Sequence, residues 1–263
     1  MSKTAPRRFA PLKTTPGQED TGLPKLQGII FDVDGTLCLP QNYMFAQMRA
    51  ALQIPASSDI LAHVASLPAG ARPAAMAAVR AIERAAMAAQ EPQPGLGALM
   101  GYLRGRGVRR ALCTRNFDQP VAHLLAKFLP GHVFAPVVTR DFDPPKPAPA
   151  GLLFIARSWG LVRRVDEDGE GKGNDEGDAA AAAAGNGEGW ELGDASALIM
   201  VGDSIDDMTA GRRAGAATVL LVNPDNAHLA EHPHTDLVIR SLDELVGVLE
   251  DGFVGREIPI STP

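Results

Sequence analysis

Acidic, hydroxyl and basic side chains follow apolar segments at four places in this 263-residue chain. The four places are 32–36 (DVDGT), 114–116 (TRN), 143–147 (DPPKP) and 202–207 (GDSIDD). The apolar segments before them have the length of buried β-strands. In a parallel sheet with helices on both faces, ligands bind beyond the carboxyl ends of the strands. We therefore expect these side chains to converge on one small volume.

Such a group of side chains favours phosphoryl transfer. Neighbouring carboxylates raise one another's pKa unless a cation offsets their charge, and Mg²⁺ with oxygen ligands suits a site that also takes phosphate. The cation and Lys146 would offset the charge of a phosphoryl group and of its transition state. A carboxylate is also a competent nucleophile toward phosphorus and would give an aspartyl-phosphate. Singly, Asp-rich turns after strands are commonly helix caps, so the interpretation depends on their joint occurrence.

The elements that must position these residues alternate between strand and helix patterns. Strands are predicted at 26–33, 109–114, 133–138, 197–202 and 218–222, with a last short one beginning at Val238. Helices are predicted at 95–106, 119–128, 147–159, 207–214 and 241–250. This alternation predicts an α/β fold with a doubly wound parallel sheet, a Rossmann-like core.

One long segment, 41–92, interrupts the alternation between the first and second strands. Its three helical patterns are at 43–52, 58–67 and 72–89. The chain returns through a Pro-rich stretch at 91–95, which has the composition of a linker. We interpret 41–92 as a helical cap inserted into a core formed by 24–40 and 93–253.

Three further segments do not look folded: a tail at 1–23, a C-terminal tail at 254–263 and a low-complexity acidic insert at 163–195. In the C-terminal tail, packing of Ile258 and Ile260 against the rest of the protein is the alternative. The insert cannot bury enough apolar surface to offset its ordering entropy. Residues 166–194 carry ten acids and one lysine, so the acidity behind the net charge of −6 belongs to this segment. A tolerated surface loop is the favoured interpretation, with an acidic interaction segment as the alternative.

Composition argues against several classes of partner. No apolar run approaches the ~20 residues that span a bilayer, and no concentrated basic face indicates nucleic-acid binding. We expect neither membrane nor nucleic acid as a partner, and no obligate protein partner. The N-terminal tail carries four bases before its first acid, faintly like a transit peptide, but Pro6, Pro11 and Pro16 interrupt any long helix there. We expect a cytoplasmic protein, with a mitochondrial location as the alternative.

The motifs and their order resemble the haloacid dehalogenase-like (HAD) superfamily, in its helical-cap (C1) phosphatase subgroup of phosphoglycolate phosphatase-like enzymes. Residues 32–36 match the DxDGT motif of that family and 202–207 match its GDSxxD motif, with Thr114 and Lys146 between them. The resemblance covers 26–250 without the acidic insert. It implies a Mg²⁺-dependent phosphohydrolase that acts on a small phosphorylated metabolite through an aspartyl-phosphate.

The resemblance also implies a role for each matching acid. Asp32 would be the nucleophile, and Asp34 the general acid that protonates the leaving oxygen and then the base that activates water. Mg²⁺ would be held by Asp32, the backbone carbonyl of Asp34, and Asp203. Asp207 would complete the metal site from behind, orienting a metal-bound water or Lys146.

The remaining candidates would bind substrate. By the resemblance, Thr114 and Lys146 would contact the phosphoryl group, assisted by backbone N–H groups near Gly35 and Arg115. The Arg115 side chain is a further candidate, whereas Asn116 also suits a turn and Asp206 the first turn of a helix. Four cap residues could select the substrate, although each also fits a solvated helix position: Tyr43, Arg49, Arg80 and Arg84.

Relatives with other chemistries give the alternatives. The dehalogenases lack the second acid of the first motif, so the presence of Asp34 disfavours that reaction. Phosphonate-cleaving relatives use a cap lysine, and 41–90 contains none, which excludes their mechanism. A phosphotransferase or phosphomutase on the same core remains an alternative. A non-catalytic scaffold that retains the HAD fold is another, although every expected catalytic position is filled.

Overall fold

The computed structural model describes residues 3–4, 6–13, 21–165 and 190–259. Its strands are β1 (Lys3–Thr4), β2 (Gly28–Phe31), β3 (Arg109–Cys113), β4 (Val137–Val138), β5 (Val162–Val165), β6 (Trp190–Gly193), β7 (Leu198–Gly202), β8 (Ala217–Leu221), β9 (Leu237–Ile239) and β10 (Ile258–Pro259). Its helices are α1 (Tyr43–Leu52), α2 (Ile60–Ser66), α3 (Arg72–Ala88), α4 (Leu96–Gly105), α5 (Asp118–Phe128), α6 (Ala150–Ser158), α7 (Ile205–Ala214) and α8 (Glu244–Asp251), with a 3-10 helix at Ala227–Glu231. Among these described helices, none has the length and apolar character needed to cross a membrane.

Six strands form one parallel sheet in the order β4-β3-β2-β7-β8-β9. In the centre of the sheet, Ile30 of β2 is in register with Ala111 of β3 on one side and Met200 of β7 on the other. From β2 the chain builds outward first through β3 and β4, and later through β7, β8 and β9. The order of strands therefore reverses between β2 and β7, where a doubly wound sheet binds ligands. The predicted α/β fold class is confirmed.

Both faces of the sheet are covered, which explains why β2 is apolar throughout. Ile29 and Phe31 belong to a core shared with α4, α5 and α8, while Ile30 belongs to a second core shared with α6 and α7. All three side chains are fully buried. A strand buried on both faces shows a continuous apolar run instead of alternation, and the sequence of β2 has that pattern.

The strand predicted at 133–138 is shorter in the structure, where β4 covers only Val137–Val138. Pro136 has no N–H group to donate to a sheet ladder. Val133 lies outside the sheet with its side chain 69% exposed. The prediction from apolar composition alone therefore overestimated the length of this edge strand.

The three predicted cap helices are present as α1, α2 and α3, and they share a small core of Met48, Ile60 and Val79. The two connections to the sheet domain pair with each other, since Leu39 N donates to Glu91 O over 2.9 Å. From the sheet domain, the ammonium of Lys127 reaches carbonyl oxygens at the end of α3 and just beyond it, at 2.9 Å from each. These contacts tie the base of the cap to α5.

The N-terminal segment differs from the disordered tail predicted at 1–23. Phe9 is only 3% exposed and its ring lies 5.7 Å from that of Phe253. β1 pairs antiparallel with β10, so the described parts of the two chain ends, including part of the predicted tail at 254–263, pair with each other. A single aromatic residue between prolines gives no periodic pattern, and its partner is distant in sequence. Residues 14–20 and 260–263 lie outside the described residues.

The two ends of the predicted acidic insert, 163–195, are also structured. β5 pairs antiparallel with β6, with Val162 opposite Gly193. Gly193 packs so closely on α6 that a Cβ there would come within 2.0 Å of the Leu153 carbonyl oxygen. The low-complexity part, 166–189, lies outside the described residues.

Candidate active site

Three neighbouring strands deliver the central residues of the site. Asp32 follows β2, Thr114 follows β3 and Asp203 follows β7, and these strands are adjacent in the sheet. The backbone N–H of Asp32 still bonds to Val201 O of β7, at 3.0 Å. The sheet thus brings together residues that are far apart in sequence, as the strand-end argument predicted.

A buried lysine links the first and last motifs. Lys146 arrives from the loop before α6, and its ammonium lies 2.7 Å from Asp32 Oδ1 and also contacts Asp207 Oδ1. Lys146 is 6% exposed, Asp32 8% and Asp207 0%. Burial alone would lower the pKa of Lys146, but the carboxylates of Asp207 and Asp32 raise it above its ordinary value of 10.5. The lysine therefore stays cationic between two acids.

Asp207 is held by a capping box at the start of α7. Its Oδ2 accepts hydrogen bonds from the hydroxyl of Ser204, at 2.6 Å, and from the backbone N–H of Ser204, at 3.1 Å. Its Oδ1 accepts from Lys146. Since both oxygens are engaged, Asp207 is placed to orient the lysine, one of the two roles predicted for it.

Three carboxylates crowd together closely enough to hold a cation. Oxygens of Asp32, Asp203 and Asp207 all lie within 4.8 Å of one another. Burial, opposed by Lys146 and reinforced by Asp207, raises the pKa of Asp32 to about 7. Burial and the charges of Asp207 and Asp32 raise the pKa of Asp203 to about 8. An all-oxygen donor set with this excess of negative charge fits Mg²⁺.

Gly35 lets the first motif turn tightly over this cluster. Its φ is +75°, a left-handed conformation that side chains other than glycine rarely adopt. A Cβ at Gly35 would also stand 2.0 Å from Asp203 Oδ2. The glycine is therefore needed both for backbone conformation and for the close approach of the two motifs.

The side chain of Asp34 points to two different partners and lies outside the three-carboxylate cluster. Its Oδ2 accepts from Asn116 Nδ2 at 2.7 Å, and Cys38 Sγ lies 3.6 Å from its Oδ1. Burial raises the pKa of Asp34, while the hydrogen bond from Cys38 and the charge of Lys146 lower it. Asp34 would therefore bind a metal ion through its backbone carbonyl oxygen and not through its side chain.

The three candidate residues in the loop after β3 make different contacts. Thr114 is 5% exposed, and its Oγ1 accepts from Asn116 N at 3.1 Å. Arg115 is exposed and its guanidinium forms an ion pair with Asp206 at 2.5 Å. Asp206 does lie in the first turn of α7, as predicted, but its ion pair across the site was not foreseen. Asn116 contacts Asp34, so its role extends beyond the turn.

Two contributors to the site were missed by sequence reasoning. Asn226 donates to Asp203 O at 2.6 Å and to Leu221 O at 3.0 Å, fixing the loop after β7. Gln93 donates to Gly35 O at 2.7 Å from the returning cap linker. No local pattern marks either residue. The spacing of Ser204 and Asp207, in contrast, is that of a capping box and could have been recognised.

The candidate residues on the cap are exposed or bonded within the cap. Tyr43 is 46% exposed, and Arg80 and Arg84 are exposed on α3. Arg49 donates to Ser58 O at 3.2 Å, a contact between cap elements. The described structure does not bring these four side chains into the acid cluster.

Comparisons with known proteins find similar sequences and similar folds. A family model described as haloacid dehalogenase-like hydrolase matches residues 26–215. The uncharacterized hydrolase YOR131C of Saccharomyces cerevisiae is 36% identical over 233 residues, which cover 87% of this chain and 92% of the yeast protein.

Solved structures share the fold at lower sequence identity. CbbY of Rhodobacter sphaeroides, solved in complex with phosphate, has a TM-score of 0.58 and 19% identity, covering 84% of this chain and 96% of CbbY. A predicted phosphoglycolate phosphatase of Haemophilus somnus has a TM-score of 0.59 and 16% identity, covering 85% and 97%.

Proposed function

Because the chain belongs to the haloacid dehalogenase-like hydrolases, we propose that it is a Mg²⁺-dependent phosphohydrolase that forms an aspartyl-phosphate on Asp32. The observation that carries the proposal is the buried Lys146, which contacts both Asp32 and Asp207 at the carboxyl edge of the sheet. A cationic lysine beside a carboxylate nucleophile suits the transfer of an anionic phosphoryl group. The substrate is a small organophosphate.

In the first step, a carboxylate oxygen of Asp32 forms a bond to phosphorus while the bond between phosphorus and the ester oxygen breaks. Asp34, acting as general acid, gives its proton to the departing oxygen, which leaves as an alcohol. Lys146 lies 2.7 Å from the nucleophile and offsets the charge of the phosphoryl group. Thr114 and the N–H groups near Gly35 and Arg115 bind the phosphoryl oxygens.

In the second step, Asp34 takes a proton from water as the water oxygen bonds to phosphorus. The bond between phosphorus and Asp32 breaks, which releases inorganic phosphate and regenerates the carboxylate. Asp34 therefore recovers the proton that it lost in the first step. No redox change or further reactant is needed.

The three-carboxylate cluster supports a role for Mg²⁺. Asp32, Asp203 and the backbone carbonyl of Asp34 would hold the ion, and Asp207 would orient Lys146 or a water on it. When bound, Mg²⁺ supplies positive charge against the phosphoryl oxygens. Burial, reinforced by neighbouring carboxylates, raises the pKa values of Asp32 and Asp203 to about 7 and about 8, so a bound cation would favour their ionised forms.

The cap argues for a small substrate. It consists of about fifty residues in three helices, inserted between β2 and β3, and caps of this kind close over their ligands. The likeness in fold to CbbY, which binds phosphate in its structure, and to a predicted phosphoglycolate phosphatase favours a phosphorylated metabolite.

The test is phosphate release from a panel of phosphorylated metabolites, with and without Mg²⁺, by the wild type and by Asp32→Asn. We expect Mg²⁺-dependent hydrolysis of some members and a loss of at least about 10³-fold in kcat in the variant, because the nucleophile is removed. Alcohols added as competing acceptors would reveal a phosphotransferase by its transfer products. Equal hydrolysis by wild type and Asp32→Asn would contradict the proposal.

A further inference from the structure

The carboxyl group of Asp34 lies between two side chains that the phosphohydrolase mechanism does not use. Asn116 donates to its Oδ2 over 2.7 Å, and Cys38 Sγ lies 3.6 Å from its Oδ1. The two contacts come from different segments of the chain. Asn116 lies in the loop after β3, and Cys38 lies in the segment that leads from β2 into the cap. Each oxygen of the carboxyl group therefore has its own neighbour.

The amide of Asn116 can meet Asp34 in only one orientation. Its Oδ1 accepts from the backbone N–H of Phe117 at 2.9 Å, which leaves Nδ2 to face Asp34 as a donor. The backbone of Asn116 is fixed as well, because its N–H bonds to Thr114 Oγ1 and its carbonyl accepts from Arg140 N at 2.9 Å. A donor held at this many points restricts the rotation of the Asp34 carboxyl group.

The thiol of Cys38 is a donor and not a reactive group. The side chain is fully buried, and its Sγ lies within reach of Val33 O as well as Asp34. Burial, followed by the charge of Asp34, raises the pKa of this thiol, so it keeps its proton. A thiol is a weak donor, and its contribution should be smaller than that of the Asn116 amide.

We propose that Asn116 and Cys38 are positioning residues that hold the Asp34 carboxyl group in the orientation from which it protonates the leaving oxygen. This inference rests on the proposed function, in which Asp34 is the general acid. It assigns to Asn116 a role different from substrate binding. It also assigns Cys38 a role as a hydrogen-bond donor. An aliphatic side chain of similar size would fill the same space but could not donate this hydrogen bond.

Leaving-group dependence tests this role. Phenyl phosphate needs a proton on its leaving oxygen far more than 2,4-dinitrophenyl phosphate does, and the value of kcat/KM reports only the steps up to departure of the phenol. For Asn116→Leu, which lacks the donor, we expect the ratio of kcat/KM for the dinitrophenyl ester over the phenyl ester to rise about 10- to 100-fold, approaching Asp34→Asn. Cys38→Val should raise the ratio a few-fold.

Cys38→Ser is the matched control, because serine keeps a donor whereas valine keeps the apolar volume. We expect the ratio for Cys38→Ser to stay within about twofold of the wild type. If Cys38→Val behaves as the wild type and Cys38→Ser is impaired, the thiol only packs, and the inference fails for Cys38. If Asn116→Leu lowers kcat/KM for both esters equally, Asn116 supports structure or substrate binding, and the inference fails for that residue.

A second measurement does not depend on turnover and separates this inference from the proposed function. The infrared S–H stretch that disappears in Cys38→Val is assigned to Cys38. Its frequency should be lowered by the hydrogen bond in the wild type and should rise in Asp34→Leu. An unchanged frequency would overturn the thiol contact even in an active enzyme, whereas a shifted band in an inactive protein would leave the contact standing while the proposed function failed.

Discussion

The acid cluster and the cap are built in opposite ways. Lys146, Asp32 and Asp207 are almost fully buried, and the lysine bonds to both acids. Arg80 and Arg84 on α3 of the cap are instead exposed. A buried charge is tolerated only where partners are in place, so the chemistry is fixed by the sheet domain. Exposed cap residues can vary at little cost in stability. Under the proposed function, the sheet domain would therefore set the reaction, and we propose that the cap sets the substrate.

The largest effect should follow from breaking the buried cluster. Lys146→Met leaves the Asp32 and Asp207 carboxylates without their shared cation, so we expect kcat to fall by at least about 10³-fold and the free energy of unfolding to drop by about 3 kcal/mol. Steady-state kinetics and denaturant unfolding measure the two effects. Lys25→Met, at an exposed position, is the matched control and should change neither. Near-normal turnover by Lys146→Met would contradict the view that the buried cluster carries the chemistry.

The second prediction concerns how the free energy of unfolding depends on pH after EDTA has removed any bound metal from the protein. The folded protein holds protons on Asp32 and Asp203, with pKa values of about 7 and about 8, that the unfolded chain releases near 3.8. Stability should therefore fall as pH rises from about 4 to about 8, because the unfolded state binds fewer protons in this window. Thermal unfolding at several pH values measures the slope.

Two comparisons make this measurement specific. Asp203→Asn should flatten the slope, whereas Asp251→Asn, at an exposed position, should leave it unchanged. Mg²⁺ should raise the unfolding temperature more at pH 8 than at pH 6, because it binds the ionised carboxylates. Stability that is independent of pH in the metal-free wild type would show that neither burial nor neighbouring charge raises the pKa values of Asp32 and Asp203, and would contradict this account.

The smallest effect should come from the cap. Arg80→Ala and Arg84→Ala should change the ratio of kcat/KM between a substrate with a second anionic group and one without it by no more than about tenfold. The rate with p-nitrophenyl phosphate should stay the same, since the acid cluster is untouched. Arg104→Ala, an exposed arginine on α4, serves as the control. If a cap variant lost turnover of every substrate, its side chain would take part in the reaction itself and not only in substrate selection.

Sequence patterns were sufficient for the central strands of the sheet because each of them buries a short apolar run, and the candidate residues Asp32, Thr114 and Asp203 directly follow such strands. The turn at Gly35 and the acids of the GDSIDD segment lie where strand ends require them. The patterns could not reveal Asn226, which fixes Asp203 O from a loop beyond the next strand. Phe9 was missed for the same reason, since its partner Phe253 is at the other end of the chain. Contacts between distant segments leave no periodic trace in the sequence.

The most direct measurement traps the phosphorylated protein. Wild type, Asp32→Asn and Asp34→Asn are incubated with Mg²⁺ and a ³²P-labelled member of the substrate panel, quenched in acid and digested, and the label is located by mass spectrometry. The proposed mechanism predicts a hydroxylamine-sensitive acyl phosphate on Asp32 in the wild type and none in Asp32→Asn. Turnover by the wild type with no label on Asp32, or with the label on another residue, would contradict it.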